Sequence, residues 1–278
     1  MGTRHSPTIR RRRLSAELLR LRQAARMTSE EAARASELSK TAYSNIENGS
    51  RQRPKLPEVR AILAAFGVPA GQEHEEILDL CRQSLERGWW ARYRDVLHSR
   101  YVGFEQEASA ISTWEPVVVP GLLQVPRYME LLAEAALLRP DEARRSVDAR
   151  MTRQRILEDE PPELWSIFDE TSLLRLEDDH PEVFREQVEH ILELADRPRV
   201  TIQMTPARRI NSGSSGPFVI LEFPNAVDPP IVYLETDTDG LYLEEPDEVT
   251  RYRMLMNHLV MSALRPGETV DHLRKMIE

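Results

Sequence analysis

A single cysteine, Cys81, stands in 278 residues. That excludes an intramolecular disulfide and any zinc site built from several cysteines, and it suits a reducing cytoplasm. No apolar run approaches the roughly 18 residues needed to cross a bilayer, so no transmembrane helix is expected. The start, MGTRHSPTIRRRRLS, has the charge of a signal-peptide n-region but lacks the apolar stretch that follows one. No internal repeat is visible. Missing too are HExxH, a nucleophile–base–acid triad and a dinucleotide-binding glycine pattern, which carry much of hydrolase and oxidoreductase chemistry. Neither a metal nor a cofactor is expected.

What is present is enough chain for two domains. The hydrophobic fraction of 41% is ordinary for a globular protein. The net charge of −9 hides a division: residues 1–71 hold 14 Lys and Arg against 6 Asp and Glu, a net of +8. Residues 72–278 therefore hold 23 against 40, a net of −17. A basic head on an acidic body is the asymmetry expected when a nucleic-acid-binding module is joined to something else. Arg10–Arg13 reads as part of a basic tail over residues 1–13, but the other cations fall within a patterned segment.

The head, residues 14–72, reads as short helices. Leu14, Leu18, Leu21 and Ala25 recur at helical spacing behind Ser15 as a cap. SEEAARAS begins with a capping hydroxyl and places acids in the first turn, where they suit the positive helix end. Glu37 and Leu38 make a tight connection, and Ser39 caps the next helix. PEVRAILAAFG closes the head, with Pro57 in its first turn and Gly67 at its stop. Two short helices joined by a tight turn form a helix-turn-helix, whose second helix enters the DNA major groove. On residues 39–48, Tyr43 and Ile46 face inward with Leu38. Lys40, Thr41, Ser44 and Asn45 remain on the outer face, with the donors and acceptors that base reading requires.

The stretch LRLRQAARMTSEEAARASELSKTAYSNIENGSRQRPKLPEVRAILAAFGV resembles the Xre family of phage-repressor-like DNA-binding domains over about fifty residues. The LRxxR opening, the TSEEAA helix, SxxxYSxIENG, the RP step and the closing FGV carry the likeness. The resemblance implies that Lys40, Thr41 and Asn45 face bases, while Arg53 and Lys55 approach the backbone or minor groove. Ser29, Ser44 and Arg51 complete the expected DNA-contacting set. Glu47 is expected to bond within the domain. Two positions depart from the family: Ser29 replaces a common phosphate-touching glutamine, and Glu37 replaces a common turn glycine, which predicts a different turn geometry.

Residues 73–100 read as connecting helices, interrupted near Gly88. Trp89 and Trp90 are candidates for base stacking or for a core, and Cys81 reads as a small buried side chain rather than a reactive thiol. Residues 101–278 alternate helices and strands: ELWSIFDE, RVTIQMTP, GPFVILEF, PIVYLET and GLYLEE as strands, EVFREQVEHILELA as a helix between the first two, and DEVTRYRMLMNHLVMSAL as a closing amphipathic helix. WEPVVVPGLLQVPRYMELLAEAALL reads as a proline-marked turn entering a helix. The expected architecture is an all-α helix-turn-helix head followed by an α+β regulatory and dimerisation domain.

WEPVVVPGLLQ, MTRQRILEDEPPELWSIFDETSLLR, VTIQMTP, GPFVILEF and IVYLE resemble a domain of uncharacterised function found behind Xre-type heads in WhiJ-like and antitoxin-like regulators of filamentous actinobacteria. The likeness implies a cytoplasmic homodimeric repressor, nucleoid-associated when bound to a palindromic double-stranded operator. It implies further that the body receives a signal, from a small protein encoded nearby or a small-molecule effector. Trp114, Leu122, Leu123 and Phe218 are candidates to line an apolar contact surface for that signal, with core packing as their alternative. The competing reading is a DNA-targeted hydrolase or nuclease with its site in the body. Its sequence support is thin: Glu177, Asp178, Asp179 and His180 are consecutive, and consecutive side chains diverge. GSSG at 213–216 lacks the lysine of a phosphate loop and reads as a turn, the serines at 212, 214 and 215 lack a nucleophile elbow, and His258 reads as a core histidine.

Overall fold

A computed structural model describes residues 7–51, 53–210, 216–236 and 240–278. The chain divides into two compact units, Met1–Ala91 and Arg92–Glu278. None of its described helices is long and apolar enough to cross a membrane.

The first unit is helical: α1 (Pro7–Ala24), α2 (Ser29–Ala35), α3 (Lys40–Glu47), α4 (Leu56–Ala65) and α5 (Gln72–Ser84). The heptad-like apolar positions Leu14, Leu18 and Leu21 of α1 meet Ala32 and Ala33 of α2, Tyr43 and Ile46 of α3, and Val59, Ile62 and Leu63 of α4 in one core. Three expectations need correction. The helix does not begin near Ser15: α1 starts at Pro7 and buries Thr8 and Ile9, so Arg10–Arg13 are helical rather than a tail. α5 is no mere connector either, since Ile77, Leu78 and Cys81 belong to the head's core. A head cut at residue 72 would lose three fully buried apolar side chains. Nor does Glu37 impose a new turn. It adopts φ 56°, the left-handed conformation a glycine would take.

Cys81 is inert by environment. Its side chain is fully buried and burial pushes its thiol pKa up to about 11. A thiolate-seeking reagent such as iodoacetamide is therefore expected to leave Cys81 unmodified in the native protein and to label it in urea; rapid labelling of the folded chain would contradict this packing. Trp90 is also buried, and a Cβ at Gly88 would lie 2.3 Å from its ring, so this turn requires glycine. Trp89 meets Trp90 edge-on at 5.9 Å between centroids, which makes the pair part of a packed corner.

The second unit is α+β. After α6 (Ser99–Glu105) come β1 (Ala110–Glu115), α7 (Pro126–Ala135), α8 (Pro140–Gln154), β2 (Glu163–Asp169), α9 (Thr171–Glu177), α10 (Pro181–Ala195) and β3 (Val200–Thr205). Then follow β4 (Phe218–Glu222), β5 (Ile231–Glu235), β6 (Gly240–Leu243), α11 (Pro246–Ser262) and α12 (Pro266–Ile277). One mixed sheet has the order β3-β2-β1-β4-β5-β6. β1, β2 and β3 are parallel and joined by helical crossovers, whereas β4, β5 and β6 are successive antiparallel additions. The five strands read from sequence are present. The sixth strand, β1, AISTWE, is not expected from the sequence, and its last two residues open the proline-marked WEPVVVPGLLQ. It is the strand at which the sheet changes from parallel to antiparallel. DEVTRYRMLMNHLVMSAL forms α11, and a further helix, α12, follows it.

Side chains alternate across each strand. Trp114, Ile167, Phe218, Ile220 and Val232 face α11 and pack on its Val249, Met256 and Leu259. That corrects a functional expectation: Trp114 and Phe218 are fully interior, and Leu122 and Leu123 are buried as well. None of the four presents an open apolar surface. His258, expected inside, is exposed on α11.

Candidate nucleic-acid interface and the polar chamber of the body

The head interface is built from two capped helices. Thr28, not Ser29, caps α2: its Oγ1 accepts from the Glu31 amide at 3.2 Å, and Glu31 accepts from the Thr28 amide at 2.8 Å, a reciprocal capping box. Ser29 is therefore the first helical residue and is half-exposed. The turn closes with the Leu38 amide donating to Ala33 O at 2.9 Å, and Ser39 Oγ caps α3 by accepting from the Ala42 amide at 3.2 Å.

Glu47 fastens α3 to the head. Its Oε1 accepts from Arg22 Nε and from Tyr43 Oη, each at 2.6 Å, while its carbonyl accepts from Ser15 Oγ. Burial and the Glu47 charge together raise the Tyr43 pKa, so the phenol stays a donor. The side chain thus bonds within the domain, as the family resemblance implied, and holds the outer face of α3 in one orientation.

On that face Lys40 and Thr41 are exposed, and Ser44 and Asn45 half-exposed. Lys40 lies 3.7 Å from Glu30, a surface pair with both side chains largely in solvent, which leaves it available to a phosphate or base. Asn45 Oδ1 accepts from Ser50 Oγ at 3.2 Å, which ties the side chain to the segment after α3. Ser50 is the residue sequence reasoning missed. Its signal was its place just after IENG, where the Arg51 amide also bonds Asn45 O at 2.8 Å. Arg53 and Lys55 are exposed beyond α3. Arg51 differs from them: its guanidinium pairs with Glu58 at 3.0 Å, both side chains mostly covered, so it is engaged within the head. Lys40, Thr41, Ser44 and Asn45 share one helix face, with Arg53 and Lys55 on the segment after it.

The second unit has a different polar centre. Arg153 of α8 donates to Glu105 of α6 through Nε at 2.6 Å and Nη2 at 2.7 Å, and Tyr101 Oη donates to the same carboxylate at 2.8 Å. The Glu105 side chain is 1% exposed. Burial opposes the Arg153 charge, yet the facing Glu105 holds its pKa above the ordinary value. Gly121 makes room for this group, because a Cβ there would sit 3.1 Å from Arg153 Nη1.

Among the described residues no three His, Cys, Asp or Glu side chains are placed to hold a metal. Glu177, Asp178, Asp179 and His180 are all exposed, from the last residue of α9 to the start of α10. Residues 211–215, which include the three serines and most of GSSG, lie outside the described residues.

Residues 13–77 match the helix-turn-helix domain family, and residues 98–275 match a domain of unknown function, DUF5753. No curated protein matches the chain, and no solved structure does.

Proposed function

Since this chain belongs to the DUF5753 family, with a helix-turn-helix domain ahead of that region, we propose that it is an Xre-type, sequence-specific transcriptional repressor. It acts as a homodimer on a palindromic operator at the nucleoid, and its body receives a small-molecule or small-protein signal. The observation that carries this is the outer face of α3: Lys40, Thr41, Ser44 and Asn45 presented together on a helix that Glu47 anchors from behind. The +8 charge of the head supports attraction to a polyanion, and the −17 of the body argues against a second DNA surface there.

The head is tested by separating base reading from phosphate attraction. Asn45→Ala is expected to cost about 1–3 kcal/mol on the operator and little on random DNA, because a base contact carries sequence information. Arg53→Ala and Lys55→Ala are expected to weaken both DNAs alike and to flatten the salt dependence, since phosphate contacts release counterions from any sequence. Fluorescence anisotropy over a salt series measures both, on an operator recovered by genomic fragment selection. Equal losses for Asn45→Ala on the two DNAs would remove Asn45 from base reading.

A further inference from the structure

Glu115 ends β1, the strand at which the sheet passes from parallel to antiparallel neighbours. In open sheets with parallel strands, ligands bind beyond the carboxyl ends of strands at such a switch point. Trp114 faces α11, so alternation turns Glu115 to the opposite face. On β5, Val232 and Leu234 pack toward α11, which turns Tyr233 and Glu235 to the same face as Glu115. In the antiparallel ladders Trp114 pairs with Phe218 and Val219 with Tyr233. Continued by one residue past Trp114 and by two past Tyr233, these ladders set Glu115 and Glu235 level on one row, two strand spacings or about 10 Å apart.

Over this face stand α6, whose Tyr101 ring lies 4.3 Å from that of Tyr233, and α8, whose Arg153 field reaches Glu115. The Arg153 charge is already taken by Glu105. Among the described residues Glu115 has no hydrogen bond and no ion pair through its carboxylate, and it is half-buried; Glu235 is exposed at the rim, 3.3 Å from His98. A half-buried carboxylate without a counter-ion is costly, and a second carboxylate on the same row, Glu235, adds negative charge that favours a cation.

We infer that the carboxyl end of β1 is a binding site for a small organic cation, a primary amine or guanidinium, with Glu115 as its counter-ion and Glu235 at its mouth. Burial and the Glu235 charge, opposed by Arg153, push the Glu115 pKa up to about 8. At pH 7 the empty site is therefore mostly protonated, and a bound cation displaces that proton. The other ionisable groups that bear on this region are Tyr128 of α7 and Arg150 of α8, together with Tyr101, Glu105 and Arg153. Identifying the ligand as the signal rests on the receiver reading above; the site itself does not.

The test uses the full chain with agmatine, putrescine and lysine amide, and with acetyl-Ala-Lys-Ala-amide as a stand-in for a partner protein's lysine. At least one free amine should raise the unfolding temperature. Calorimetry in phosphate and in Tris at pH 7 should show release approaching one proton, and Glu115→Gln should weaken binding at least tenfold. Folding of the variant is checked by urea at two pH values. A raised carboxyl pKa contributes stability that is present below the unfolded value and lost as pH rises through the folded one. Glu115→Gln should thus be more stable than wild type at pH 8, with the advantage gone near pH 4.5. No stabilisation by any free amine, equal stabilisation of Glu115→Gln, or binding of the peptide alone would each overturn the inference. Amine binding that leaves operator affinity unchanged would keep the site and remove the receiver reading.

Discussion

Arg153→Met is expected to destabilise the second unit by about 3–5 kcal/mol, because it strands the Glu105 carboxylate in the interior without its counter-charge. Folded domains hold only about 5–15 kcal/mol in total, so this substitution removes a large part of the margin. The geometry explains the size. Two charge-assisted bonds at 2.6 and 2.7 Å converge on a carboxylate that is 1% exposed, with Tyr101 Oη as a third donor. Changing both partners, Glu105→Leu with Arg153→Met, should recover most of the loss, since the apolar pair leaves no buried charge behind. Urea unfolding of the single and double variants measures the coupling. A loss below about 1 kcal/mol for Arg153→Met would mean that the pair is as dispensable as a surface bridge.

Residues 1–91 alone are expected to bind the operator about 10²- to 10⁴-fold more weakly than the full chain, which is the gain available from linking two binding modules. A single α3 carries four exposed or half-exposed polar side chains on its outer face. Helix-turn-helix proteins reach useful affinity by placing two such helices on half-sites roughly one helical turn apart. The fragment ends at 91 rather than 72 because Ile77, Leu78 and Cys81 complete the head's core. Sedimentation should find the fragment monomeric and the full chain dimeric, and footprinting should show an imperfect palindrome. A fragment that dimerises fully, or that binds as tightly as the whole chain, would place the interface in the head.

The sequence by itself determined the head. Local signals agreed there: capping hydroxyls, helical spacing of leucines, the IENG step and a concentration of cations all describe contacts within a few residues of each other. Tyr43 and Ile46 facing inward follow from a period of 3.6, and the inward role of Glu47 follows from the family likeness. Even so, the caps were displaced by a residue at Thr28, and α1 began at Pro7, because helix ends depend on which neighbours bury Thr8 and Ile9.

Only the tertiary structure decided the body's chemistry. β1 was illegible because AISTWE mixes polar and apolar residues and runs into prolines, and its identity as a strand comes from partners at 163–168 and 218–222. For Trp114 and Phe218 the sequence leaves both an apolar surface and core packing open, and strand pairing under α11 decides for the core. Glu105 meets Arg153 across 48 residues, and Glu115 stands level with Glu235 through two ladders. No periodicity encodes such meetings. Short-range patterning specifies helices and faces, whereas the pairing of buried charges is set by strand order and register, which the chain acquires only by folding.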